Sequence, residues 1–133
     1  MISPPPFSLE RVVVLPEAKR LHEDDIVLSG VFASWTSFAA VFADKDACTF
    51  VGGALVCVDL EVIDGRVEVG LALGNEKILD SFLLTSAEGR ITAQLFAPSL
   101  SDIDALVFRS MEEGPLCVRL IGIETRQLSL AKL

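Results

Sequence analysis

Residues 54–73 read Ala-Leu-Val-Cys-Val-Asp-Leu-Glu-Val-Ile-Asp-Gly-Arg-Val-Glu-Val-Gly-Leu-Ala-Leu, and this stretch carries most of the information about architecture. Two runs of alternating apolar and polar residues meet at Asp64-Gly65, a pair that favours a two-residue β-hairpin turn. Pairing the runs across this turn places Val62 opposite Val67, and each further pair on the same face is also apolar. Because the side chains of a strand alternate between two faces, that face is predicted to cover a hydrophobic core.

Short strand-like segments separated by turns recur along the rest of the chain. They are predicted at residues 11–15, 26–32, 35–42, 78–85, 91–96, 105–109 and 116–123, and residues 124–133 add an end strand or a tail. With the two central strands, this makes about nine strands and no long helix. The pattern predicts an all-β fold, namely an antiparallel two-sheet β-sandwich of the jelly-roll, galactose-binding-like type. Residues 17–25 are polar and favour a helical turn.

Residues 1–133 are predicted to form a single domain, because no linker, repeat or change of composition divides the chain. Residues 1–8 are predicted to form an extended arm, since consecutive prolines cannot join a hydrogen-bonded ladder. The beginning of the chain lacks the basic and apolar regions of a signal peptide. Three cysteines without paired spacing indicate reduced thiols, and these features together predict a cytoplasmic protein.

Composition limits the partners that the chain is expected to have. Hydrophobic residues make up 51% of the chain, but charges and glycines interrupt every apolar run before it reaches the length of a membrane span. The apolar residues must therefore lie in a core, an interface or both, so a homo-oligomer or a contact with a partner enzyme domain is one expectation. The net charge is −8 and Lys/Arg clusters are missing, which argues against nucleic acid and membrane as partners.

Groups that could perform catalysis are sparse in the sequence. His22 is the single histidine and lies beside Glu23 in a polar segment without a nucleophile motif, so a solvated side chain is the simpler interpretation. The acidic pairs of the chain do not follow the spacing of a calcium-binding loop. No catalytic residue, metal ion or cofactor is predicted, and the chain is not expected to be an enzyme. A hydrolase or isomerase that uses His22 and scattered carboxylates is an alternative hypothesis, and it ranks behind the two non-catalytic hypotheses given below.

Four residues are candidates for ligand binding, namely Trp35, Arg109, Glu61 and Glu68. Trp35 is the only tryptophan, and it is either a residue at the edge of the core or a platform that stacks on a sugar ring. Arg109 shares a strand face with Val107, which favours either a structural ion pair or a ligand-binding arginine beside Trp35. Glu61 and Glu68 face each other in the predicted hairpin, either as part of a surface charge cluster or as acceptors for sugar hydroxyls.

Several short motifs also resemble one group of β-sandwich domains. They are Trp35-Thr-Ser-Phe-Ala-Ala, the hairpin around Asp64-Gly65, Leu106-Val-Phe-Arg109-Ser110, the turn at Gly114 and Val118-x-Leu-x-Gly-Ile. Over residues 26–124 the chain is similar to the carbohydrate-binding-module-like jelly rolls attached to bacterial glycosyltransferases and sugar-active methyltransferases. Phe38 stands where those domains usually have tyrosine, and Ser110 where they usually have asparagine.

The resemblance implies a non-catalytic β-sandwich module that binds carbohydrate, with Trp35 and Arg109 as its anchors and Glu61 and Glu68 as weaker candidates. The alternative is a structural, oligomerisation or domain-docking module without a small ligand, which the high apolar content favours.

Overall fold

The computed structural model describes residues 5–16, 18–20, 26–45, 52–74 and 77–128. The strands within these ranges are β1 (Val12–Val14), β2 (Lys19–Arg20), β3 (Ile26–Phe32), β4 (Ser37–Phe42), β5 (Ala54–Asp64), β6 (Arg66–Ala72), β7 (Ile78–Thr85), β8 (Arg90–Ala97), β9 (Ala105–Ser110) and β10 (Gly114–Gln127). Short 3-10 helices at Leu9–Arg11, Ser86–Glu88 and Leu100–Asp102 lie in the connections.

The strands form two five-stranded antiparallel sheets. Sheet A has the strand order β1-β4-β9-β6-β7, and sheet B has the order β2-β3-β10-β5-β8. The predicted all-β, two-sheet sandwich is therefore confirmed, with ten described strands where about nine were expected. The additional strand is β2, whose Lys19 and Arg20 pair with β3 inside the segment predicted as a helical turn. A short polar segment suits an edge strand, because one of its sides faces solvent.

The predicted hairpin at Asp64-Gly65 is wrong. β5 ends at Asp64 in sheet B and pairs with β8 and β10, whereas β6 starts at Arg66 in sheet A and pairs with β7 and β9. The turn carries the chain from one sheet to the other, so Val62 does not pair with Val67. Alternation specifies which face of a strand is buried. It does not specify whether the next strand lies beside it in the same sheet or opposite it in the other sheet. Here the two apolar faces meet across the core.

The core between the sheets contains the inward-facing residues of β5 and β6. They are buried, as the alternation predicts: Val56, Val58, Leu60, Val62, Val67, Val69 and Leu71. Phe38 stacks on Phe32 with ring centroids 5.5 Å apart, and Phe108 lies 6.4 Å from Phe38. Phe7 is also buried, so the described part of the predicted arm is anchored to this core.

The two outer faces of the sandwich differ in chemistry. On sheet B, acidic and basic residues alternate between neighbouring strands, and Arg90 binds Asp59 through two hydrogen bonds of 2.6 and 3.1 Å. These hydrogen bonds and the charge of Asp59 raise the pKa of the Arg90 guanidinium. The outer face of sheet A instead presents mostly small and apolar side chains. Because a solvated sheet face is ordinarily polar, the outer face of sheet A is the better candidate for a binding surface.

Candidate ligand-binding site

A groove of about 500 Å³ lies on the outer face of sheet A. Its floor consists of small residues on adjacent strands, since Ala72 of β6 pairs with Ala105 of β9. Phe42 of β4 pairs with Ala105 and marks one end of the groove, while Arg109 of β9 marks the other. The four steps along the strand from Ala105 to Arg109 span about 13 Å at the rise of an antiparallel strand. The volume lies within the range of roughly 300–1,000 Å³ that is typical of small-molecule sites.

Trp35 stands at one end of this groove in a left-handed backbone conformation. Its φ is 59°, and it is the only non-glycine residue with a positive φ in the described part of the chain. Two backbone hydrogen bonds hold the turn against β9: the Trp35 N–H donates to the Ser110 carbonyl at 2.6 Å, and the Ser110 N–H donates to the Thr36 carbonyl at 2.8 Å. A bulky residue rarely adopts this conformation, and such residues are concentrated at functional sites. Trp35 is 51% exposed, so it is not a core residue.

Arg109 connects Trp35 with Glu68. The guanidinium carbon lies 5.5 Å from the centroid of the indole, within the distance of a cation–π interaction. Arg109 and Glu68 are register partners on β9 and β6, and Nε donates to Glu68 Oε1 at 2.6 Å while Nη2 donates to the same oxygen. The side chains are 27% and 9% exposed, respectively. A carboxylate with so little contact with water needs this cation, because an unpaired buried charge is strongly destabilising.

Three of the four predicted site residues therefore lie together, because Trp35, Arg109 and Glu68 form a continuous cluster at one end of the groove. Glu61 does not belong to it. It lies on β5 in sheet B, where its register partners are Arg90 and Arg119. The predicted contact between Glu61 and Glu68 is wrong, since it depended on the hairpin that does not form. Opposite charges flank Glu61 on both sides, which is a favourable cross-strand arrangement with a structural role.

Sequence reasoning missed the residues at the other end of the groove. Phe42 lies at the end of a predicted strand, and strict alternation from the outward-facing Ser37 would turn Phe42 toward the core. A register shift between Ser37 and Ala39 changes the phase of β4, so that Phe42 points outward and is exposed. Bulges of this kind re-aim side chains and carry no distinctive sequence signal here.

A second ion pair lies near Phe42. Asp104 lines the groove, and its Oδ1 lies 3.3 Å from Lys45 Nζ, which also donates hydrogen bonds to the carbonyls of Ser101 and Ile103 at 2.9 and 2.6 Å. Asp104, the acidic residue that lines the groove, is paired with Lys45, and Glu68 is paired with the lining residue Arg109. The lining therefore offers hydrogen-bonding groups without a strong net charge.

Of the cysteines, those within the described residues lie on β5 and β10 of sheet B, away from the groove. His22 and Cys48 are outside the described residues. Cys57 is buried, and burial together with the charge of Asp64 raises the pKa of the partly buried Cys117 thiol. Within the described ranges, no group of three or more His, Cys, Asp and Glu side chains could hold a metal ion. Over the same residues, no helix has the length and apolar character needed to cross a membrane.

Comparison with solved structures finds the same fold in carbohydrate-binding modules. The chain is similar to the CBM1 module of BiXyn10A in its apo form, with 10% identity, a TM-score of 0.55 and coverage of 80% of this chain and 75% of that one. It is similar to the CBM22-1 xylan-binding domain of Xyn10C from Paenibacillus barcinonensis, with 11% identity, a TM-score of 0.53 and coverage of 93% and 86%. A CBM4 structure matches with 9% identity, a TM-score of 0.52 and coverage of 87% and 94%.

These similarities establish the architecture that the resemblance implied, a carbohydrate-binding-module-like β-sandwich. At such low identity they establish the fold alone. No family model matches the chain, and no curated protein matches its sequence.

Proposed function

We propose that this protein is a non-catalytic module that binds carbohydrate in the groove on the outer face of sheet A. The observation that carries the proposal is the cluster of Trp35, Arg109 and Glu68 at one end of a groove with a floor of small residues. The similarity to solved carbohydrate-binding modules supports the proposal at the level of the fold. A module of this kind is attached to, or associates with, a sugar-active enzyme domain that performs the chemistry.

The cluster offers the two kinds of contact that a sugar needs. The exposed indole of Trp35 provides a rigid apolar surface for the C–H face of a pyranose ring. Arg109 and Glu68 provide a donor and an acceptor beside it. Only Oε1 of Glu68 accepts hydrogen bonds from described residues, and Nη1 of Arg109 donates none to them. The second carboxylate oxygen and the outer guanidinium nitrogen are therefore available for sugar hydroxyls.

The single tryptophan makes the proposal directly testable. A glycan array followed by titration of intrinsic fluorescence with xylo- and cello-oligosaccharides would report on Trp35 alone, since the chain has no other tryptophan and no tyrosine. Trp35→Ala is expected to weaken binding at least about tenfold, because burying even half of an aromatic side chain contributes about 1.5 kcal/mol. The affinity of the alanine variant would be measured by calorimetry.

Phe96→Ala is the matched control, since Phe96 is an exposed aromatic residue on β8 of the other sheet and should leave the affinity unchanged. The proposal fails if no glycan binds, or if Trp35→Ala binds as well as the unmodified protein.

A second candidate function, docking of a protein partner or of a second copy of the chain, is favoured by one observation. Val13, Phe42 and Leu83 are exposed apolar residues on the same outer face of sheet A as the groove. Light scattering distinguishes the two functions, because a strict monomer that binds glycans argues for the first. A dimer that Phe42→Ser dissociates, together with an absence of glycan binding, would argue for the second.

A further inference from the structure

We infer that Glu68 determines the charge class of the sugar that the groove accepts, reserving it for uncharged sugars and excluding acidic ones. The inference rests on the proposed function and concerns the same cluster. Glu68 would act through its own charge and through its pairing with Arg109, so it is a specificity-determining residue.

Arg109 is the natural binding group for a sugar carboxylate at this groove. A guanidinium recognises carboxylates through a pair of parallel N–H groups, and it stays charged at every physiological pH. Arg109 lines the groove and remains 27% exposed, so a ligand can reach it. An arginine without a partner in this position would attract uronic acids in preference to neutral sugars.

Glu68 already occupies the part of Arg109 that would make this contact. Both Nε and Nη2 donate to Glu68 Oε1, and these two groups form one of the two-donor edges of the guanidinium. The guanidinium also lies over the Trp35 ring, with its carbon 5.5 Å from the ring centroid, so the indole flanks the group as well. A sugar carboxylate would therefore have to displace Glu68 or bind the remaining N–H groups of a guanidinium whose charge Glu68 already balances.

The charge of Glu68 also opposes an acidic ligand. Its side chain is only 9% exposed, so water screens this charge poorly, and a second carboxylate in the groove would lie beside it. A like charge placed next to a poorly screened one is a common means of rejecting the wrong ligand. Asp104 at the other end adds a further negative group, although Lys45 partly compensates it.

A purely structural role for Glu68 makes a different prediction. If Glu68 only stabilises sheet A, removing its charge would change stability and leave the ratio of affinities for neutral and acidic sugars unaltered. If Glu68 sets specificity, this ratio changes even in a variant that is fully folded. The ratio is therefore the decisive measurement.

The test compares matched neutral and acidic probes by calorimetry. Cellohexaose and xylohexaose are the neutral probes, and C6-oxidised cellohexaose and glucuronic-acid-substituted xylohexaose are their acidic counterparts. The unmodified protein is expected to prefer the neutral member of a pair by at least about tenfold. Glu68→Gln is expected to gain at least about tenfold in affinity for the acidic member, and added salt should reduce this gain. The ratio of acidic to neutral affinity should therefore rise at least about tenfold in Glu68→Gln, whatever the altered acceptor does to neutral binding.

Two further variants act as controls. Glu68→Asp keeps the negative charge and should keep the preference for neutral sugars. Glu112→Gln removes an exposed carboxylate that lies 3.9 Å from Arg66, away from the groove, and should change neither affinity. Circular dichroism verifies that each variant is folded. If Glu68→Gln does not fold, the comparison in the unmodified protein and in Glu68→Asp decides, and equal or tighter binding of the acidic probes overturns the inference.

The outcomes separate this inference from the proposed function. Binding of neutral probes to both proteins, without a gain for acidic probes in Glu68→Gln, overturns the inference and leaves the proposed function intact. An absence of binding of any probe to any variant overturns both.

Discussion

The left-handed backbone of Trp35 predicts an unusual order of stability for two substitutions at that position. Trp35→Gly and Trp35→Ala both remove the indole and its contact with Arg109, so the loss of these interactions cancels when the two variants are compared. What remains is the effect of one Cβ atom at a φ of 59°. We expect the glycine variant to be more stable than the alanine variant, which is the reverse of the usual order.

The size of the difference follows from two opposing terms. A Cβ in the left-handed region costs about 1–2 kcal/mol, and glycine avoids this cost. Glycine has more conformational freedom to lose on folding, which costs about 0.4–1 kcal/mol relative to alanine. The free energy of unfolding of Trp35→Gly should therefore exceed that of Trp35→Ala by about 0.5–1 kcal/mol. For a chain of 133 residues this corresponds to about 2–4 °C in Tm.

Urea denaturation followed by circular dichroism is the appropriate assay, because both variants lack the only tryptophan and so cannot be followed by its fluorescence. The matched control is Thr92, an exposed residue within β8. There, Thr92→Gly should be less stable than Thr92→Ala by about 0.5–1 kcal/mol. If Trp35→Gly were instead less stable than Trp35→Ala, as glycine is expected to be relative to alanine at Thr92, the left-handed conformation of Trp35 would be refuted.

Two further predictions concern the turn between the sheets and the partly buried thiol. Gly65→Ala should lower the free energy of unfolding by about 2–4 kcal/mol in urea titrations, because φ is 88° and the new Cβ would lie 2.9 Å from the Pro115 carbonyl oxygen. Gly89→Ala, with a φ of 68° and no atom within 4 Å of the new Cβ, carries a backbone penalty without a close contact and should cost less, and equal losses would contradict the close approach of β10. Burial and then the charge of Asp64 raise the pKa of Cys117, so peptide-resolved alkylation by iodoacetamide should be slow at neutral pH, and Asp64→Asn should accelerate it. The pKa of Cys117 is higher in the folded than in the unfolded protein, so the thiol costs no stability below the ordinary thiol pKa. The free energy of unfolding should fall as pH rises from the ordinary thiol pKa through the folded pKa of Cys117. A free energy that stays constant over this pH range would argue against a raised pKa for Cys117.

Much of the fold could be predicted because period-two alternation is a property of each strand alone. The inward-facing residues of β5 and β6 are buried where the pattern places them, and the segments predicted as strands correspond to β1 and to β3–β10. The pairing of β5 with β6 could not be predicted in the same way. An Asp-Gly turn is compatible with a hairpin and also with a connection between two sheets. Which of the two forms depends on how strands later in the sequence pair with β5 and β6. β10, at the end of the described chain, takes the place beside β5 that β6 was expected to fill.

The candidate site was predictable in some of its members but not in its assembly. Trp35 and Arg109 stand out in the sequence as the only tryptophan and as an arginine on an apolar strand. Glu68 was predicted for the wrong reason. Its expected neighbour was Glu61 on the other strand of a hairpin, whereas in the structure it pairs with Arg109 on the adjacent strand β9. Phe42 was missed because a bulge in β4 reverses the direction of its side chain.

The chain's own pattern is thus sufficient for the class of fold and for the buried residues of β5 and β6, because both depend on local alternation and composition. The sheet in which each strand lies, the partner of each charge and the groove itself depend on contacts between residues far apart in sequence. The cluster of Trp35, Glu68 and Arg109 illustrates the difference, because a left-handed turn and the register of β6 with β9 bring these residues together. Alternation places a residue on a face of its own strand, and only the packed sandwich determines which other residues share that face.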